Sequence, residues 1–222
     1  GALYASGMDA FQLQETAFGL DEAKIRDVRL FSGGLVQGQA LQDYVNRLVH
    51  NQSIEKLKIP FAAVATELET GKRTVFVRGN TGQAVRASSS IPGVFEPTEI
   101  RGRHYVDGGV VAPIPVDAAR QLGADFVIAV DISARPDGSN PQGMMNIVSQ
   151  SIDIMGQQLA TQETARADVV IRPRLAGIGP TDFEQKNQAI LEGEKATLAA
   201  IPQIRAKLAA MAAARQAAVA AH

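Results

Sequence analysis

Apolar residues recur along this chain with two spacings, one typical of helices and one typical of buried strands. Apolar positions three and four residues apart predict helices, and a proline before an apolar stretch marks the start of another. The predicted helices lie over residues 10–20, 39–49 and 144–165, after Pro115, and from Phe183 onward with a bend or restart at Pro202.

Short runs rich in apolar residues predict strands, and turns with glycine between them predict hairpins. The predicted strands cover residues 59–68, 74–78, 94–100, 104–106, 125–130 and 169–171, and a polar exposed connection is predicted over 136–143. Strands that alternate with helices predict an α/β layered fold with a largely parallel central sheet. We assign residues 1–205 to one domain and residues 206–222 to an alanine-rich helical tail, which favours helix but buries little apolar area.

Composition and charge exclude several classes of protein. The formal net charge is -1 and the sequence pI is near 6.4, so the chain lacks the basic surface that nucleic-acid binding requires. There is no cysteine, which excludes disulfide bonds, cysteine-based zinc sites and a cysteine nucleophile. The only imidazoles are those of His50, His104 and His222. No motif indicates a metal ion or an organic cofactor, and no apolar run reaches the roughly 18 residues of a membrane span.

The chain opens in the middle of an apolar helical pattern, Gly1-Ala2-Leu3-Tyr4-Ala5-Ser6-Gly7. Neither a starting methionine nor a helix cap precedes this pattern. A helix without an N-terminal signal leads us to expect that the chain has lost its beginning.

The most informative acidic residue is Asp107, which follows a β-like segment and precedes Gly108, Gly109 and a proline-rich turn into a helix. Glycines after an acid let the backbone take positive φ and leave the carboxylate uncovered by neighbouring side chains. An aspartate at a strand end also lies where α/β sheets place ligands. The alternative is that Asp-Gly is only a turn signal.

The surrounding residues carry a resemblance that bears on this choice. The segment Ala87-Ser88 to Pro97, followed by Tyr105-Val106-Asp107-Gly108-Gly109, resembles the second signature block of patatin-like phospholipases. The family often has asparagine where this chain has Ala112, and the likeness extends from Gly1 to about Leu198.

The resemblance implies a three-layer α/β/α sandwich that lacks its N-terminal strand and nucleophile-elbow unit. It also implies a Ser-Asp dyad with Asp107 as the general base and with Gly108, Gly109, Ser88 and Pro92 shaping the site. His104 lies three residues before Asp107, so strand alternation points it to the opposite face, and His50 is expected within a helix.

The serine nucleophile of such a dyad is missing from the chain. A G-x-S-x-G elbow needs glycine two residues before and after the serine, and none of the serines has both. Ser6, Ser32, Ser139 and the run Ser88-Ser89-Ser90 all fail this test. The segment 33–38 imitates a glycine-rich oxyanion loop but is interpreted as a plain loop. The family pattern places the nucleophile just upstream of Gly1, so the missing N-terminal segment of the same protein is an expected partner.

The resemblance therefore predicts a lipid acyl hydrolase that acts on phospholipids or related esters, with transient contact to a membrane surface. This chain alone is expected to be inactive. A non-catalytic lipid-binding or regulatory protein on the same scaffold is the alternative, and a nucleotide-binding protein is disfavoured because there is no G-x-G-x-x-G and no phosphate loop. The resemblance favours a bacterial cell envelope or periplasm, but any export signal would lie upstream of Gly1, so the compartment stays open.

Overall fold

A computed structural model describes residues 1–20, 27, 36–134, 142–175, 177–179 and 182–220. The chain divides into two compact units, Gly1–Pro113 and Ile114–His222. Within the described residues the helices are α1 (Ala2–Ala5), α2 (Ala10–Phe18), α3 (Gln39–Leu48), α4 (Thr81–Ser88), α5 (Val116–Gln121), α6 (Met144–Thr164) and α7 (Lys186–Ala220). The strands are β1 (Ala63–Glu67), β2 (Arg73–Phe76), β3 (Thr98–Ile100), β4 (Arg103–Asp107), β5 (Ile128–Val130) and β6 (Val169–Ile171).

The first unit contains a four-stranded sheet in the order β2-β1-β4-β3. All three strand pairs are antiparallel, and every residue of β1 is buried because β1 lies between two neighbours. The β3–β4 connection is a tight turn in which Arg101 and Gly102 both have positive φ, at 53° and 75°. Strands joined by so short a turn must run antiparallel.

The second unit contains the parallel pair β5–β6, and α6 forms part of the connection between the two strands. A crossover of this length is what parallel pairing requires. The α/β class predicted from the sequence is confirmed. The described strands nevertheless pair mostly antiparallel. The sheet of the first unit consists of two hairpins, β1–β2 and β3–β4, which α4 connects along the chain and which pair through β1 and β4.

Both units have small apolar cores of their own. In the first unit α4 covers the sheet through Ala87, which packs with Ala65 and Tyr105. The ring of Tyr105 meets Phe76 edge-on, with 5.2 Å between ring centroids. In the second unit one buried cluster joins the start of α5, strand β5 and α6: Ile114, Val116, Val127, Ala129 and Ala160.

Most predicted elements lie within a few residues of their observed positions, but α4 was not predicted. Its N-cap is Asn80, whose side chain accepts the N–H of Gln83 at 2.7 Å. Helix α7 continues through Pro202, so the predicted tail forms the end of this helix as far as residue 220. The division into a domain and a tail stays a prediction, and residues 136–141 of the predicted connection lie outside the described residues. None of the described helices has both the length and the hydrophobicity to cross a bilayer.

Candidate active site

Asp107 is the last residue of β4 and lies opposite Ala65 of the central strand β1. Its main chain is held on both sides. The N–H of Asp107 donates to the carbonyl of Ser90 at 2.9 Å, and its carbonyl accepts the hydroxyl of Thr66 at 2.9 Å. The strand therefore ends at a fixed position, from which the side chain leaves the sheet.

The carboxylate of Asp107 is half-buried and accepts the N–H of Gly109 at 2.6 Å. Among the described residues no cationic group lies within ion-pair distance of it. Burial raises the pKa of Asp107 above its ordinary value, and the hydrogen bond from Gly109 opposes this change without cancelling it. The group is thus a more basic carboxylate than an exposed aspartate.

The two glycines after Asp107 have different structural roles, and neither role is the expected positive φ, because both residues have ordinary backbone angles. A Cβ atom at Gly108 would lie 2.3 Å from the carbonyl oxygen of Val64, so the turn can approach β1 only without a side chain. A Cβ atom at Gly109 would lie 3.0 Å from Oδ1 of Asp107. Glycine at 109 therefore leaves the carboxylate uncovered.

The other residues predicted to shape the site lie at the end of α4 and in the segment that follows it. Ser88 is the half-buried last residue of α4, and Pro92 is exposed in the turn that follows. Neither hydrogen-bonds to Asp107 in the part of the chain described, so their roles stay predictions. The serine that does contact Asp107 is Ser90, and a run of three serines gave no signal that would single it out.

Neither of the two described histidines, His50 and His104, hydrogen-bonds to this carboxylate. His104 is exposed on β4, and its Nδ1 lies 2.7 Å from Oε1 of Glu69. His50 was expected within a helix, which is wrong: α3 ends at Leu48, and His50 follows in a left-handed conformation with φ of 53°. His222 lies outside the described residues.

A hollow of about 470 Å³ opens beside the first two helices. Its walls are formed by Ser6, Gly7, Met8, Gln12, Glu15, Thr16, Leu48, His50, Gln52 and Lys58. Asp107 does not line this hollow, so the carboxylate and the hollow are separate features of the first unit.

The described serines that were considered as nucleophiles lie at or just after the ends of α1 and α4. Ser6 follows α1, and its hydroxyl donates to the carbonyl of Leu3 at 2.7 Å. Ser32, Ser139 and residues 33–35 of the glycine-rich segment lie outside the described residues. The described residues also contain no group of three or more His, Asp or Glu side chains that could hold a metal ion.

Comparison with known proteins places this geometry in a family. A family profile described as "Patatin-like phospholipase" matches residues 1–120, which include every residue around Asp107 described above. The chain belongs to the patatin-like phospholipase family. The match covers the whole of the first unit, so the antiparallel sheet and the turn at Asp107 are part of the family's domain.

Individual relatives agree with this assignment. The chain is 34% identical over 132 residues to an uncharacterised NTE family protein of Mycobacterium tuberculosis. The aligned region covers 60% of this chain and 37% of the relative. A second NTE family protein of that organism is 26% identical over 227 residues, covering 90% of this chain and 39% of the relative. Patatin-like phospholipase domain-containing protein 7 of Mus musculus is 30% identical over 105 residues, covering 46% of this chain and 8% of the relative. The chain thus spans less than two fifths of the length of the relatives it matches.

Proposed function

We propose that this chain is part of a lipid acyl hydrolase in which Asp107 is the general base of a Ser-Asp dyad. The serine nucleophile and the oxyanion-hole donors come from a segment that precedes Gly1. The substrate is a phospholipid or a related ester, reached at a membrane surface. The names of the family and of the mouse relative support this substrate class.

The observation that carries the proposal is the state of the Asp107 carboxylate. A general base must be ionised at the working pH and yet basic enough to accept a proton from a hydroxyl. Partial burial raises its pKa, and the donor that the described part of the chain offers it is a neutral main-chain N–H rather than a cation. An ion-paired aspartate would be a weaker base, because an adjacent positive charge stabilises the ionised form.

Gly1 lies beside the segment that leads into β1, the strand that pairs with the end of β4. A Cβ atom at Gly1 would lie 3.0 Å from the ring of Phe61, which lies just before β1. Asp107 is paired with Ala65 of the same strand. Four extended residues span at most about 14 Å, so the chain start and the carboxylate flank the same short stretch of backbone.

The proposed reaction begins with attack of the serine hydroxyl on the ester carbonyl while Asp107 takes the hydroxyl proton. The alcohol part of the lipid then leaves with that proton, and an acyl-serine remains. Water then attacks the acyl-serine while Asp107 accepts a water proton and passes it to the departing serine oxygen, which releases a fatty acid and returns the free enzyme.

The test compares this chain with a longer protein that also contains the preceding segment, using a p-nitrophenyl ester. We expect no hydrolysis by the 222-residue chain and hydrolysis by the longer protein. Asp107→Asn in the longer protein should lower kcat by roughly 10²–10⁴-fold, the usual contribution of a general base. Asp153→Asn, at an exposed position on α6, is the matched control and should leave kcat unchanged.

Two results would reject the proposal. Full activity of the Asp107→Asn protein would remove the dyad. The absence of serine from the elbow that precedes Gly1 in the longer protein would instead indicate a non-catalytic lipid-binding protein.

A further inference from the structure

Ser90, whose carbonyl accepts the N–H of Asp107, also forms a buried hydroxyl pair with Thr98. Their oxygens are 2.9 Å apart, and the two residues are 1% and 0% exposed. Ser90 Oγ also lies 2.9 Å from the carbonyl oxygen of Arg86, to which it donates. Since serine has a single hydroxyl hydrogen, Thr98 must be the donor within the pair. Both hydroxyls are therefore satisfied without water.

This pair is connected to Asp107 by two routes. Ser90 accepts the N–H of Asp107 through its carbonyl, at 2.9 Å. Thr98 pairs with Tyr105 between β3 and β4, and Tyr105 is two residues before Asp107 in the chain. Thr98 is thus connected to the end of β4 in two ways, directly through the strand pairing and indirectly through Ser90.

We propose that Ser90 and Thr98 are positioning residues that orient the Asp107 carboxylate. Only one hydrogen bond, from Gly109, reaches that carboxylate among the described residues, so its direction follows from the main chain that bears it. The hydroxyl pair holds the Ser90 carbonyl in place, and this carbonyl holds the N–H of Asp107. The inference rests on the proposed function, because the orientation affects turnover only if Asp107 accepts the proton.

The first test uses the 222-residue chain and does not require activity. The amide proton of Gly109 donates to the carboxylate, so its NMR chemical shift should titrate with the ionisation of Asp107. We expect the midpoint in Ser90→Ala and Thr98→Val to move down toward the ordinary aspartate value, because a carboxylate that is no longer held in place becomes better solvated. Thr98→Ser keeps the hydroxyl and should restore the wild-type midpoint.

The matched control is Ser89→Ala, the same substitution one residue earlier. Ser89 is half-buried at the end of α4, and its hydroxyl makes no hydrogen bond among the described residues. Its titration should match that of the wild type. The double variant Ser90→Ala/Thr98→Val should shift the midpoint no further than either single variant, since each single change breaks the same pair.

The second test measures kinetics in the longer protein with the preceding segment. Misplacement of a catalytic group by about 1 Å costs on the order of 10²-fold in rate, so we expect kcat to fall about 10–100-fold in Ser90→Ala and Thr98→Val, with little change in KM. Thr98→Ser and Ser89→Ala should retain most of the activity.

The outcomes separate this inference from the proposed function. An unchanged Gly109 titration in Thr98→Val and Ser90→Ala overturns the positioning role, even if Asp107→Asn abolishes hydrolysis. If Ser90→Ala does not fold, Thr98→Val alone decides, because it removes one hydroxyl at nearly constant volume. Activity that survives Asp107→Asn rejects the proposed function, while a shifted titration would still support an effect of the hydroxyl pair on the Asp107 carboxylate.

Discussion

Replacing each of the two glycines after Asp107 by alanine should produce two different defects. In Gly108→Ala the new methyl group would lie 2.3 Å from the carbonyl oxygen of Val64 and 2.8 Å from its carbonyl carbon. Ordinary contact begins near 3.4 Å, and both opposing atoms belong to the backbone of the central strand. The turn and β1 must therefore separate by roughly 1 Å. Forced overpacking of this kind typically costs about 1–3 kcal/mol.

Gly109→Ala should instead alter the carboxylate and leave stability nearly unchanged. Its methyl group would meet Oδ1 of Asp107 at 3.0 Å, and the end of a side chain can move by a few tenths of an ångström. That movement weakens the 2.6 Å hydrogen bond from the Gly109 N–H, and the methyl group excludes water from the same oxygen. Both effects disfavour the ionised form, so the pKa of Asp107 should rise further.

Thermal unfolding and the NMR titration of residue 109 distinguish the two defects. For a chain of this size, about 1–3 kcal/mol corresponds to a decrease in Tm of roughly 2–12 °C, which is expected for Gly108→Ala only. An upward shift in the midpoint is expected for Gly109→Ala only. If Gly108→Ala is as stable as the wild type, or if Gly109→Ala is the less stable of the two, the packing argument is refuted.

Three further predictions concern protonation, helix capping and histidine. The folded-state pKa of Asp107 is raised above its unfolded value, so its contribution to stability is present below the unfolded pKa and is lost as the pH rises through the folded pKa. Asp107→Asn should therefore be more stable than the wild type at neutral pH but not in acid. Urea denaturation at both pH values tests this, and a wild type that is the more stable of the two at neutral pH would contradict it. Asn80→Ala removes the side-chain cap of α4 and should cost about 1 kcal/mol in thermal or urea unfolding, whereas no loss would show that the cap is dispensable. His104→Gln breaks only an exposed contact with Glu69 and should leave kcat in the longer protein unchanged, so a large decrease would assign His104 a catalytic role.

Local sequence patterns predicted the elements whose apolar positions have a clear spacing. The apolar stripe of α3 and the run that contains β5 are examples, and the predicted turn at Arg101-Gly102 does join β3 to β4. The pairing direction of the first sheet was harder to predict. The glycine turns predicted the hairpins β1–β2 and β3–β4, but the alternation of helices and strands suggested parallel pairing elsewhere. The antiparallel pairing of β1 with β4, which no short turn joins, was therefore not predicted.

Helix α4 shows why some elements could not be predicted. It is eight residues long, contains Gly82, and lacks a wide apolar stripe. Gly82 disfavours helix on propensity, yet its missing side chain allows α3 to approach so closely that a Cβ atom would lie 2.2 Å from the Gln42 carbonyl. The N–H of Gly82 also donates to Asn46 of α3 at 2.8 Å. This helix depends on a tertiary contact, which local sequence patterns do not reveal.

For the candidate site, as for the fold, the sequence predicted the local features but not the tertiary contacts. The strand end, Asp107 and its two glycines followed from local pattern and family resemblance. The contacts of Thr66 and Ser90 with the main chain of Asp107, and the Ser90–Thr98 hydroxyl pair, did not, because these residues are distant from Asp107 in sequence and come close to it only in the folded chain.

The two adjacent glycines also suggest a way to sort homologues whose activity is unknown. Selection on Gly108 acts through the close approach of two main chains, so this glycine should persist in every member that keeps the fold, including members that have lost catalysis. Selection on Gly109 acts through access to the carboxylate and should relax once that access no longer matters. A lineage with glycine at the first position and a larger residue at the second would therefore be expected to have diverged toward a non-enzymatic role.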